Sequence, residues 1–495
     1  MNMPINRRAF MGSAVATAFA AGLMKPRFAF AKDAFSGIDA VGQAALVREK
    51  KVTSLELVDA AIARIASANP KLNAVVAEYF DKARKQAQTA LPASPLSGMP
   101  YLIKDLNDIK GEIATSGSRL MAKHIGTETS LLAQKAIDAG MIVVGKTNTP
   151  EFGLLASTES MLLGACHNPW NPAYSTGGSS GGAAAAVASG MLPVAHASDG
   201  GGSIRIPASC CGVFGMKPSR GRMNFGDKEK MPGDIAVENC VSRSVRDSAM
   251  VFSLCEDTSA HAQFTPTGFV HGPSKKRLKI AFSTLSYYGK EPHEDVKASV
   301  QATAKLCRGL GHEIIEVKNP VSGQEFVDAF LTVWASVPAQ LVQLATSLKQ
   351  KPQDVLEPWT IGLAEYFAKQ PKDALAKSLA YFKKAEAATD AFMSQYDAWL
   401  TPVLSGTPPK LGEQAPTVPF DTLYERVTSY VAYTPIHNVA GTPAMSVPLG
   451  WSKTGLPIGS QFAAAKGNEA LLYALAYELE QANGWAGKHA AVWAD

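Results

Sequence analysis

The segment that most constrains this chain is a glycine- and serine-rich run at residues 175–182, with the sequence STGGSSGG. That composition taken alone is typical of a flexible linker. Here, however, the run leads directly into an Ala/Val-rich helical segment at 183–188 and then into an apolar strand at 193–195. Glycines ahead of a helix tolerate unusual dihedral angles and bring backbone N–H groups close to a ligand. The pattern therefore predicts a buried functional loop between two core elements.

A second glycine-rich loop follows at residues 199–207, with the sequence DGGGSIRIP. Three consecutive glycines ahead of Ser203 allow neighbouring backbone N–H groups to converge on one point, as an oxyanion hole requires. Each such donor typically contributes ~10²–10³ in rate. A bare Gly-Gly-Gly-Ser run is more often a tight turn, so the functional interpretation depends on the motifs that accompany it.

The two loops and one lysine together resemble a known family. Ser203 lies 24 residues after Ser179, and Lys104 lies 75 residues before Ser179, at the end of an apolar strand. This constellation closely resembles the amidase signature family of serine-dependent amide hydrolases. The resemblance extends from about residue 40 to 480. It includes five further segments, at 101–105 (YLIKD), 145–152 (GKTNTPEF), 211–218 (CGVFGMKP), 438–443 (NVAGTP) and 455–459 (GLPIG).

The resemblance implies a role for each residue that matches the family motifs. Ser203 matches the nucleophile, Ser179 the bridging serine that follows a cis peptide bond, and Lys104 the base. Asp199 and Arg205 match residues that flank and brace the nucleophile loop. The backbone N–H groups that match the oxyanion hole are those of Gly200, Gly201, Gly202 and Ser203. The implied reaction is amide hydrolysis through a Ser203 acyl-enzyme.

The chemistry of these side chains is consistent with the implied roles. A serine hydroxyl is a weak nucleophile and needs a base, and neither glycine-rich motif contains a histidine. Free lysine has a pKa of about 10.4 and is protonated at neutral pH, but burial disfavours the charged form and lowers that value. A neutral Lys104 can then accept a proton from Ser203 through Ser179 and return it to the leaving amine.

Strand and helix patterns alternate along the chain, which predicts an α/β fold. Thr53 with Glu56 predicts a helix-capping box, and Asn69-Pro70 predicts the end of that helix. The family resemblance implies one large mixed β-sheet covered by helices on both faces. The remaining patterns predict strands at 100–103, 141–144, 193–195, 278–282, 313–317 and 444–447, and helices at 183–188, 294–310 and 468–482.

The domain organisation follows from the absence of any low-complexity linker or internal repeat in the sequence. We expect residues 32–495 to form one amidase signature domain. The stretch at about 322–395 is mostly helical in pattern and carries none of the motifs above. It is therefore predicted to be a substrate-shaping insert.

The first 31 residues have the pattern of an export signal, the alternative being a short N-terminal helix. Arg7-Arg8 precede an apolar stretch of small residues at 11–24, and residues 29–31 (AFA) form a small-x-small cleavage site. The paired arginines favour the twin-arginine route, so we expect a periplasmic protein. This segment has four basic and no acidic residues and supplies most of the formal net charge of +5. The rest of the chain has no basic run typical of nucleic-acid binding, and its sequence predicts no membrane span.

Three features admit a structural as well as a functional interpretation. Residues 140–147 (GMIVVGKT) satisfy the pattern of a phosphate-binding loop, but their hydrophobic centre predicts a strand, with Lys146 as a structural partner near the site. His196 follows an apolar strand and is expected to be a core histidine rather than a catalytic one. Cys210-Cys211 are expected to be packing thiols rather than a vicinal disulfide or a redox pair.

The sequence implies neither a metal nor a cofactor. No CxxC or HExxH motif is present, and the nine histidines are scattered. In the helical insert, Trp359, Tyr366 and Phe367 either line a pocket or pack against one another, and both interpretations stay open.

The family resemblance implies a small-molecule amide substrate and leaves its identity open. Segments 146–152, 168–171 and 479–485 are similar to those of 6-aminohexanoate cyclic-dimer hydrolases, which favours a nylon oligomer or a similar small linear or cyclic amide. Residues 154–156 (LLA) depart from the polar residues that those hydrolases place near substrate. Aryl-acylamide, fatty-amide and peptide-amide hydrolysis are therefore alternatives, and a non-catalytic amide-binding protein is the alternative from another class. Export argues against the branch that transamidates aminoacyl-tRNA, and homodimers are common in the family.

Overall fold

The computed structural model describes residues 35–223 and 231–494, and the predicted signal segment at 1–31 lies outside the described residues. The described strands are β1 (Val75–Glu78), β2 (Pro100–Lys104), β3 (Ile142–Thr147), β4 (Glu159–Ser160), β5 (Gly164–Ala165), β6 (His167–Asn168), β7 (Asn171–Ser175), β8 (Val194–Asp199), β9 (Phe214–Lys217), β10 (Val237–Ser242), β11 (Lys279–Phe282), β12 (Glu313–Glu316), β13 (Ala398–Pro402), β14 (Ala444–Trp451) and β15 (Pro457–Ala463). The described α-helices are α1 (Ala40–Arg48), α2 (Ser54–Leu72), α3 (Phe80–Gln86), α4 (Leu131–Asp138), α5 (Gly181–Ala188), α6 (Arg205–Cys211), α7 (Val245–Cys255), α8 (Glu294–Gly309), α9 (Gln324–Ser347), α10 (Pro352–Val355), α11 (Pro358–Ala368), α12 (Ala374–Met393), α13 (Phe420–Tyr430), α14 (Pro435–Val439) and α15 (Glu469–Asn483).

Among the described residues, an eight-stranded mixed sheet in the order β12-β11-β13-β15-β14-β9-β10-β8 forms the centre of the fold, and β1-β3-β2 form a second sheet. β11 runs parallel to β12 and β13, whereas the other neighbouring pairs of the large sheet are antiparallel. The second sheet lies beside the β8 edge of the large one, where the Lys104 backbone N–H donates to His196 Nδ1 at 3.3 Å. This contact places the end of β2 next to β8.

Helices cover both faces of the large sheet. Successive side chains of a strand point to opposite faces, so neighbouring strand residues contact different helical layers. Ile280 and Leu400 belong to an apolar cluster that includes residues of α7, α8 and α15. Their chain neighbours Ala281 and Trp399 belong to a different cluster, which includes residues of α9 and α12. The prediction of one mixed sheet between two helical layers is confirmed.

Helix α5 is buried at every position, which its small residues permit. Gly182 has no room for a side chain, since a Cβ there would lie 2.3 Å from the backbone nitrogen of Asn148. The helix directly follows Ser179 and Ser180, which are themselves buried. The glycine- and serine-rich run is therefore part of the core rather than a linker, and its position is fixed by the packing of α5.

The stretch predicted as an insert is helical, and α9 to α12 occupy most of it. One described helix, α9, is long and apolar enough to cross a membrane when judged by length and composition alone. Its residues Phe326, Leu331 and Val333 lie in a buried apolar cluster together with residues of α12. Burial of this face is what the core helix of a folded domain shows.

One predicted helix end is wrong, although the start of the same helix is correct. The Thr53 and Glu56 capping box forms at the start of α2, with Glu56 N–H donating to Thr53 Oγ1 at 3.2 Å. The helix does not end at Asn69-Pro70 but continues to Leu72. Pro70 sits in its last turn, where a missing N–H removes only one hydrogen bond, and Asn73 ends the helix in a left-handed conformation (φ 50°).

Candidate active site

Two of the three side chains predicted to be catalytic are in direct contact. Lys104 ends β2 and is fully buried. Its Nζ donates to Ser179 Oγ at 2.6 Å and to Ser198 Oγ at 2.9 Å. The peptide bond between Gly178 and Ser179 is cis, as the family resemblance implied. Lys104 is thus held between two hydroxyl groups.

Ser203 lies between β8 and α6, on the wall of a cavity that Ser179 also lines. It is 8% exposed, and its hydroxyl makes no hydrogen bond to any residue within 35–223 or 231–494. The Ser180 N–H donates to the Ser203 carbonyl oxygen at 3.3 Å, which joins the two glycine-rich loops. The Ser203 hydroxyl is therefore free to meet a ligand in the cavity.

The position of Lys104 changes its protonation. Burial lowers the pKa of Lys104 to about 7, although the charges of Glu238 and Asp199 act in the opposite direction. A buried ammonium loses its hydration, and this loss favours the neutral amine. A large fraction of Lys104 is therefore neutral near pH 7 and can accept a proton.

Asp199 and Arg205 form a buried ion pair behind the Ser203 loop. Arg205 Nε and Nη2 each donate to the Asp199 carboxylate at 2.9 Å. The same carboxylate accepts the N–H of Gly202 at 2.8 Å and the N–H of Ile204 at 3.2 Å. Burial by itself raises the pKa of Asp199, but the adjacent Arg205 charge outweighs burial and holds that pKa well below its usual range. A charged carboxylate therefore fixes the backbone on both sides of the serine.

Residues near the carboxyl end of the chain also hold Arg205 and the Ser203 loop in place. Arg205 Nη1 donates to the Thr434 carbonyl oxygen at 3.0 Å and to Gln461 Oε1 at 2.7 Å. Its Nη2 donates to Asn438 Oδ1 at 2.7 Å. Thr434 Oγ1 in turn donates to the Gly201 carbonyl oxygen at 2.6 Å. The Ser203 loop is thus held by segments more than 200 positions away.

The glycine-rich loop offers three free N–H donors rather than the expected four. The Gly202 N–H is engaged within the protein, because it donates to Asp199 Oδ1 at 2.8 Å. The N–H groups of Gly200, Gly201 and Ser203 have no acceptor among the described residues. The expectation for Gly202 is corrected for this reason, and the other three donors remain open to a ligand.

Ser203 lies where two cavities of different polarity meet. The wider cavity, of about 1000 Å³, is lined by Ser179, Ser198 and Ser203 and by several acidic residues. The narrower cavity, of about 70 Å³, is lined by Ser203 and by a mainly apolar wall. That wall includes Leu154, Ile206, Phe326, Phe330, Trp334 and Trp359. The helical insert therefore supplies much of the apolar side of the site.

A match to a known sequence family covers most of this chain. The sequence model described as Amidase matches residues 56–473.

The chain belongs to the amidase family.

Two relatives extend over nearly the whole of this amidase. The protein named AmiC in Mycobacterium tuberculosis is 37% identical over 466 residues, covering 93% of this chain and 98% of its own length. The 6-aminohexanoate-cyclic-dimer hydrolase of a Pseudomonas species is 34% identical over 481 residues, covering 91% of this chain and 96% of its own. These relationships make the chain an amidohydrolase that acts on carbon–nitrogen amide bonds.

Solved structures show the same fold. A 6-aminohexanoate cyclic dimer hydrolase in complex with substrate superposes with a TM-score of 0.85 at 30% identity, covering 92% of this chain and 99% of its own. A bacterial aryl acylamidase of the amidase signature family superposes with a TM-score of 0.82 at 24% identity, covering 91% of this chain and 98% of its own. The amidase signature fold expected from the sequence is therefore confirmed.

Three residues of the candidate site are not marked by the motifs of the sequence. Ser198 gives Lys104 Nζ its second acceptor, and Glu238 lies opposite Ser198 in the ladder between β8 and β10. Thr434 holds the loop from the far end of the chain. Ser198 directly precedes the motif at 199–207 and could have been included on that ground. No local sequence pattern marks Glu238 or Thr434. Strand pairing brings Glu238 to the site, and a distant part of the chain brings Thr434 there.

The structural interpretation holds for the histidine and for the cysteines. His196 is fully buried in β8 and accepts the Lys104 backbone N–H, so its role as a core residue is confirmed. All six cysteines, Cys210 and Cys211 among them, are buried free thiols. The prediction of packing thiols is therefore confirmed as well.

The apparent phosphate-binding loop is a strand. Residues Ile142–Thr147 form the fully buried β3. Lys146 Nζ lies 3.2 Å from Asp105 Oδ1 and donates to the Asn107 carbonyl oxygen at 2.6 Å. Lys146 is therefore a structural partner beside the site, as predicted. Of the insert aromatics, Trp359 lines the narrow cavity, whereas Tyr366 and Phe367 pack in an apolar cluster.

Proposed function

We propose that this amidase cleaves its substrate through a covalent intermediate on Ser203, with Ser179 and Lys104 as the proton relay. The observation that carries the proposal is the 2.6 Å contact between the buried Lys104 Nζ and Ser179 Oγ, beside a Ser203 hydroxyl open to the cavity. A nucleophile, a base and a connecting hydroxyl in one cavity are what serine acyl transfer needs.

In the first half of the cycle, Ser203 Oγ attacks the amide carbonyl carbon. Its proton passes to Ser179 Oγ while the Ser179 proton passes to the neutral Lys104 Nζ. The N–H groups of Gly200, Gly201 and Ser203 donate to the carbonyl oxygen as that oxygen gains negative charge. The C–N bond then breaks, and Lys104 returns a proton through Ser179 to the nitrogen of the leaving amine.

In the second half, water takes the place of the amine. The relay removes a proton from water as its oxygen attacks the ester carbonyl carbon. The bond between that carbon and Ser203 Oγ breaks, the proton returns to Ser203, and the carboxylic acid leaves. Asp199 and Arg205 transfer no proton in this scheme; they hold the loop that presents the donors.

We propose a 6-aminohexanoate oligomer, or a similar small linear or cyclic amide, as the substrate. The proposal is supported by the relatives whose names state that they hydrolyse 6-aminohexanoate cyclic dimer. It is also supported by the narrow apolar cavity beside Ser203, which suits a methylene chain. Aryl acylamides, fatty amides and peptide amides place similar demands on that cavity and are the competing classes.

The test is a hydrolysis screen of the purified mature protein on cyclic and linear 6-aminohexanoate oligomers, aryl acylamides, fatty amides and peptide amides. We expect wild-type turnover of the 6-aminohexanoate compounds and a loss of at least about 10⁴-fold in kcat for Ser203→Ala, because the nucleophile is removed. The matched control is Ser336→Ala, which deletes a buried hydroxyl of α9 that donates to the Val333 carbonyl oxygen. Activity that survives in Ser203→Ala would rule out the role of Ser203. Preference for another class would rule out the proposed substrate.

We further propose that residues 1–31 export this amidase to the periplasm by the twin-arginine route and that the mature protein is a homodimer. The support for export is the pattern Arg7-Arg8 ahead of a weakly apolar segment. Replacing both arginines with lysine should remove amidase activity from the periplasmic fraction, and undiminished export would contradict the route.

Light scattering on the mature protein should give twice the chain mass, and a monomer mass would contradict the dimer.

A further inference from the structure

Strand β8 holds Lys104 at two points. The Lys104 backbone N–H donates to His196 Nδ1 at 3.3 Å, and the Lys104 Nζ donates to Ser198 Oγ at 2.9 Å. His196 and Ser198 are two positions apart in β8, so their side chains point to the same face of the large sheet. A buried backbone N–H needs an acceptor, and β2 is an edge strand of the smaller sheet. The His196 imidazole therefore provides the acceptor that a further strand would otherwise supply.

The opposite edge of the His196 imidazole faces a carboxylate. Because Nδ1 accepts the Lys104 N–H, the proton of the neutral imidazole resides on Nε2. This Nε2 lies 3.8 Å from Glu238 Oε2, and neither atom has a hydrogen-bond partner among the described residues. Glu238 pairs with Ser198 in the ladder between β8 and β10 and is the diagonal neighbour of His196 on the same face. The carboxylate therefore favours the tautomer that leaves Nδ1 free to accept.

These contacts form a network that closes on itself at Lys104. Glu238 Oε1 accepts from Asn107 Nδ2 at 2.7 Å, and the Asn107 N–H donates to the Lys104 carbonyl oxygen at 3.1 Å. Asn107 is held in turn by Lys146, whose Nζ donates to its carbonyl oxygen at 2.6 Å. Both polar groups of the Lys104 backbone thus belong to one closed network, which links Lys104 to Asn107, Glu238 and His196. All four residues are buried.

The position of the Lys104 backbone matters because the side chain must reach Ser179. Proton transfer requires Nζ within hydrogen-bond distance of Ser179 Oγ, and the two atoms are 2.6 Å apart. Lysine carries its amine on a flexible four-carbon stem, so its own geometry does not fix Nζ. A displacement of reacting groups by about 1 Å can lower a rate by about 10²-fold. A network that fixes the backbone at the root of this stem therefore bears directly on the rate.

We propose that His196, oriented by Glu238, is a positioning residue that holds the Lys104 backbone so that Nζ meets Ser179. His196 transfers no proton in this scheme. The inference rests on the proposed function, since it takes Lys104 as the base. It assigns a role in the reaction to a buried histidine that lies outside both glycine-rich motifs.

Two substitutions separate the hydrogen bond from the packing of the imidazole. His196→Asn places an amide oxygen near the position of Nδ1 but loses volume, whereas His196→Leu keeps most of the volume and has no acceptor. Fluorophosphonate labelling is followed at several probe concentrations at about pH 9, where Lys104 is neutral. We expect His196→Leu to lower the saturating rate by about 10²-fold without changing the half-saturating concentration, and His196→Asn to stay within about tenfold of the wild type.

His312 offers a matched control at the opposite edge of the large sheet, where it directly precedes β12. Its Nδ1 accepts the Leu278 N–H at 3.0 Å, and its Nε2 lies 3.1 Å from Glu478 Oε2. The arrangement matches that of His196 but lies far from the relay. His312→Asn and His312→Leu should lower Tm and leave the labelling rate unchanged, as measured by thermal unfolding and the same labelling assay.

The inference is overturned if His196→Leu is labelled as fast as His196→Asn, because the volume of the side chain then accounts for its role. Equal slowing by His312→Leu overturns it as well. If neither His196 variant folds, Glu238→Gln decides: its amide group must direct an N–H at Asn107 Nδ2 or at His196 Nε2, so we expect slower labelling. A wild-type rate in Glu238→Gln would then overturn the inference. A Lys104→Ala protein labelled at the wild-type rate would instead refute the proposed function.

Discussion

At the scale of single residues, a lysine can act as a base near neutral pH only where its surroundings disfavour the charged form. Lys104 meets this condition through complete burial, with the uncharged hydroxyls of Ser179 and Ser198 as its partners. Glu238 and Asp199 oppose the effect of burial, and the pKa settles at about 7. The pKa of Lys104 is therefore set by a balance between burial and two nearby carboxylates.

The first prediction concerns the pH dependence of catalysis. In the proposed relay only neutral Lys104 accepts the Ser179 proton, so kcat/KM for an uncharged amide should rise with pH through a limb centred at about 7 and level off above it. Glu238→Gln removes a charge that stabilises the ammonium form, so the limb should move to lower pH. Initial rates between about pH 5 and about pH 9 measure both curves, with Glu313→Gln, on the exposed start of β12, as the control. A limb that stays in place in Glu238→Gln contradicts this account of Lys104.

The second prediction concerns the backbone at Gly202. This residue has a φ of +134°, and a Cβ there would lie 2.4 Å from Thr434 Oγ1. Gly202→Ala should displace the loop and lower kcat/KM by about 10²-fold, the usual effect of a small misplacement of reacting groups. Gly455→Ala is the matched control, because Gly455 also has a positive φ (+80°) but open space around it. It should lose stability and keep its activity. Equal kcat/KM in the two variants would contradict the tight fit at Gly202.

The sequence predicted the proposed relay residues together with Asp199 and Arg205, and it missed Glu238 and Thr434 for a physical reason. Lys104, Ser179 and Ser203 sit in local motifs whose glycines and flanking strands are visible in the chain. Glu238 reaches the site only because β10 pairs with β8 in a particular register, which local pattern does not determine. The engagement of the Gly202 N–H by Asp199 likewise depends on how the loop closes on itself.

At the scale of elements, the side chains of two buried glutamates hold the start of α11 against the rest of the fold. Glu151 accepts from Ser118 Oγ at 2.7 Å, from the Glu357 N–H at 2.8 Å and from Thr360 Oγ1 at 2.5 Å. Glu357 in turn accepts the Met161 N–H at 2.6 Å. Because Glu357 and Thr360 belong to the start of α11, these bonds hold the helix that carries Trp359 into the narrow cavity.

The third prediction is a pH-dependent stability. Burial, together with the charge of Glu151, raises the pKa of Glu357 from an ordinary 4.5 to about 8. Between these values the folded protein keeps a proton that the unfolded chain has released, so this group makes stability fall as pH rises. Glu357→Gln should raise Tm relative to the wild type at pH 8 by a few degrees and should match it at pH 4. Glu325→Gln, at an exposed position near the start of α9, is the control. A Tm difference that does not change with pH would contradict the prediction.

The elements themselves were largely predictable, whereas their arrangement was not. Short apolar runs bounded by turns predicted both ends of β2 and β11 within one or two residues. They predicted the starts of β3 and β8 equally well but ended both strands too early. The order of strands in the sheet depends on which edges pair across the chain, and nothing in the local sequence specifies it. The end of α2 was misplaced because a proline in the last turn removes a single hydrogen bond and does not stop the helix.

At the scale of the whole molecule, one part of the fold holds the glycine-rich loops and another part shapes the cavity beside Ser203. The central sheet and α5 hold the two glycine-rich loops, and the Ser203 loop is bonded to residues near the carboxyl end of the chain. The helical insert supplies the apolar wall of the narrow cavity. Variation in the insert can therefore change the substrate while the proposed relay stays in place, as expected where one fold serves many amides.

The most direct measurement of the central claim is the site and rate of labelling by a fluorophosphonate, read by mass spectrometry of the intact protein and of its peptides. We expect one adduct on the peptide that contains Ser203, no adduct in Ser203→Ala, and labelling slowed by about 10²–10⁴-fold in Lys104→Ala because the base is lost. Wild-type labelling should also quicken as pH rises through about 7, where Lys104 becomes neutral. An adduct on another residue, or a Lys104→Ala protein labelled as fast as the wild type, would contradict the proposed relay.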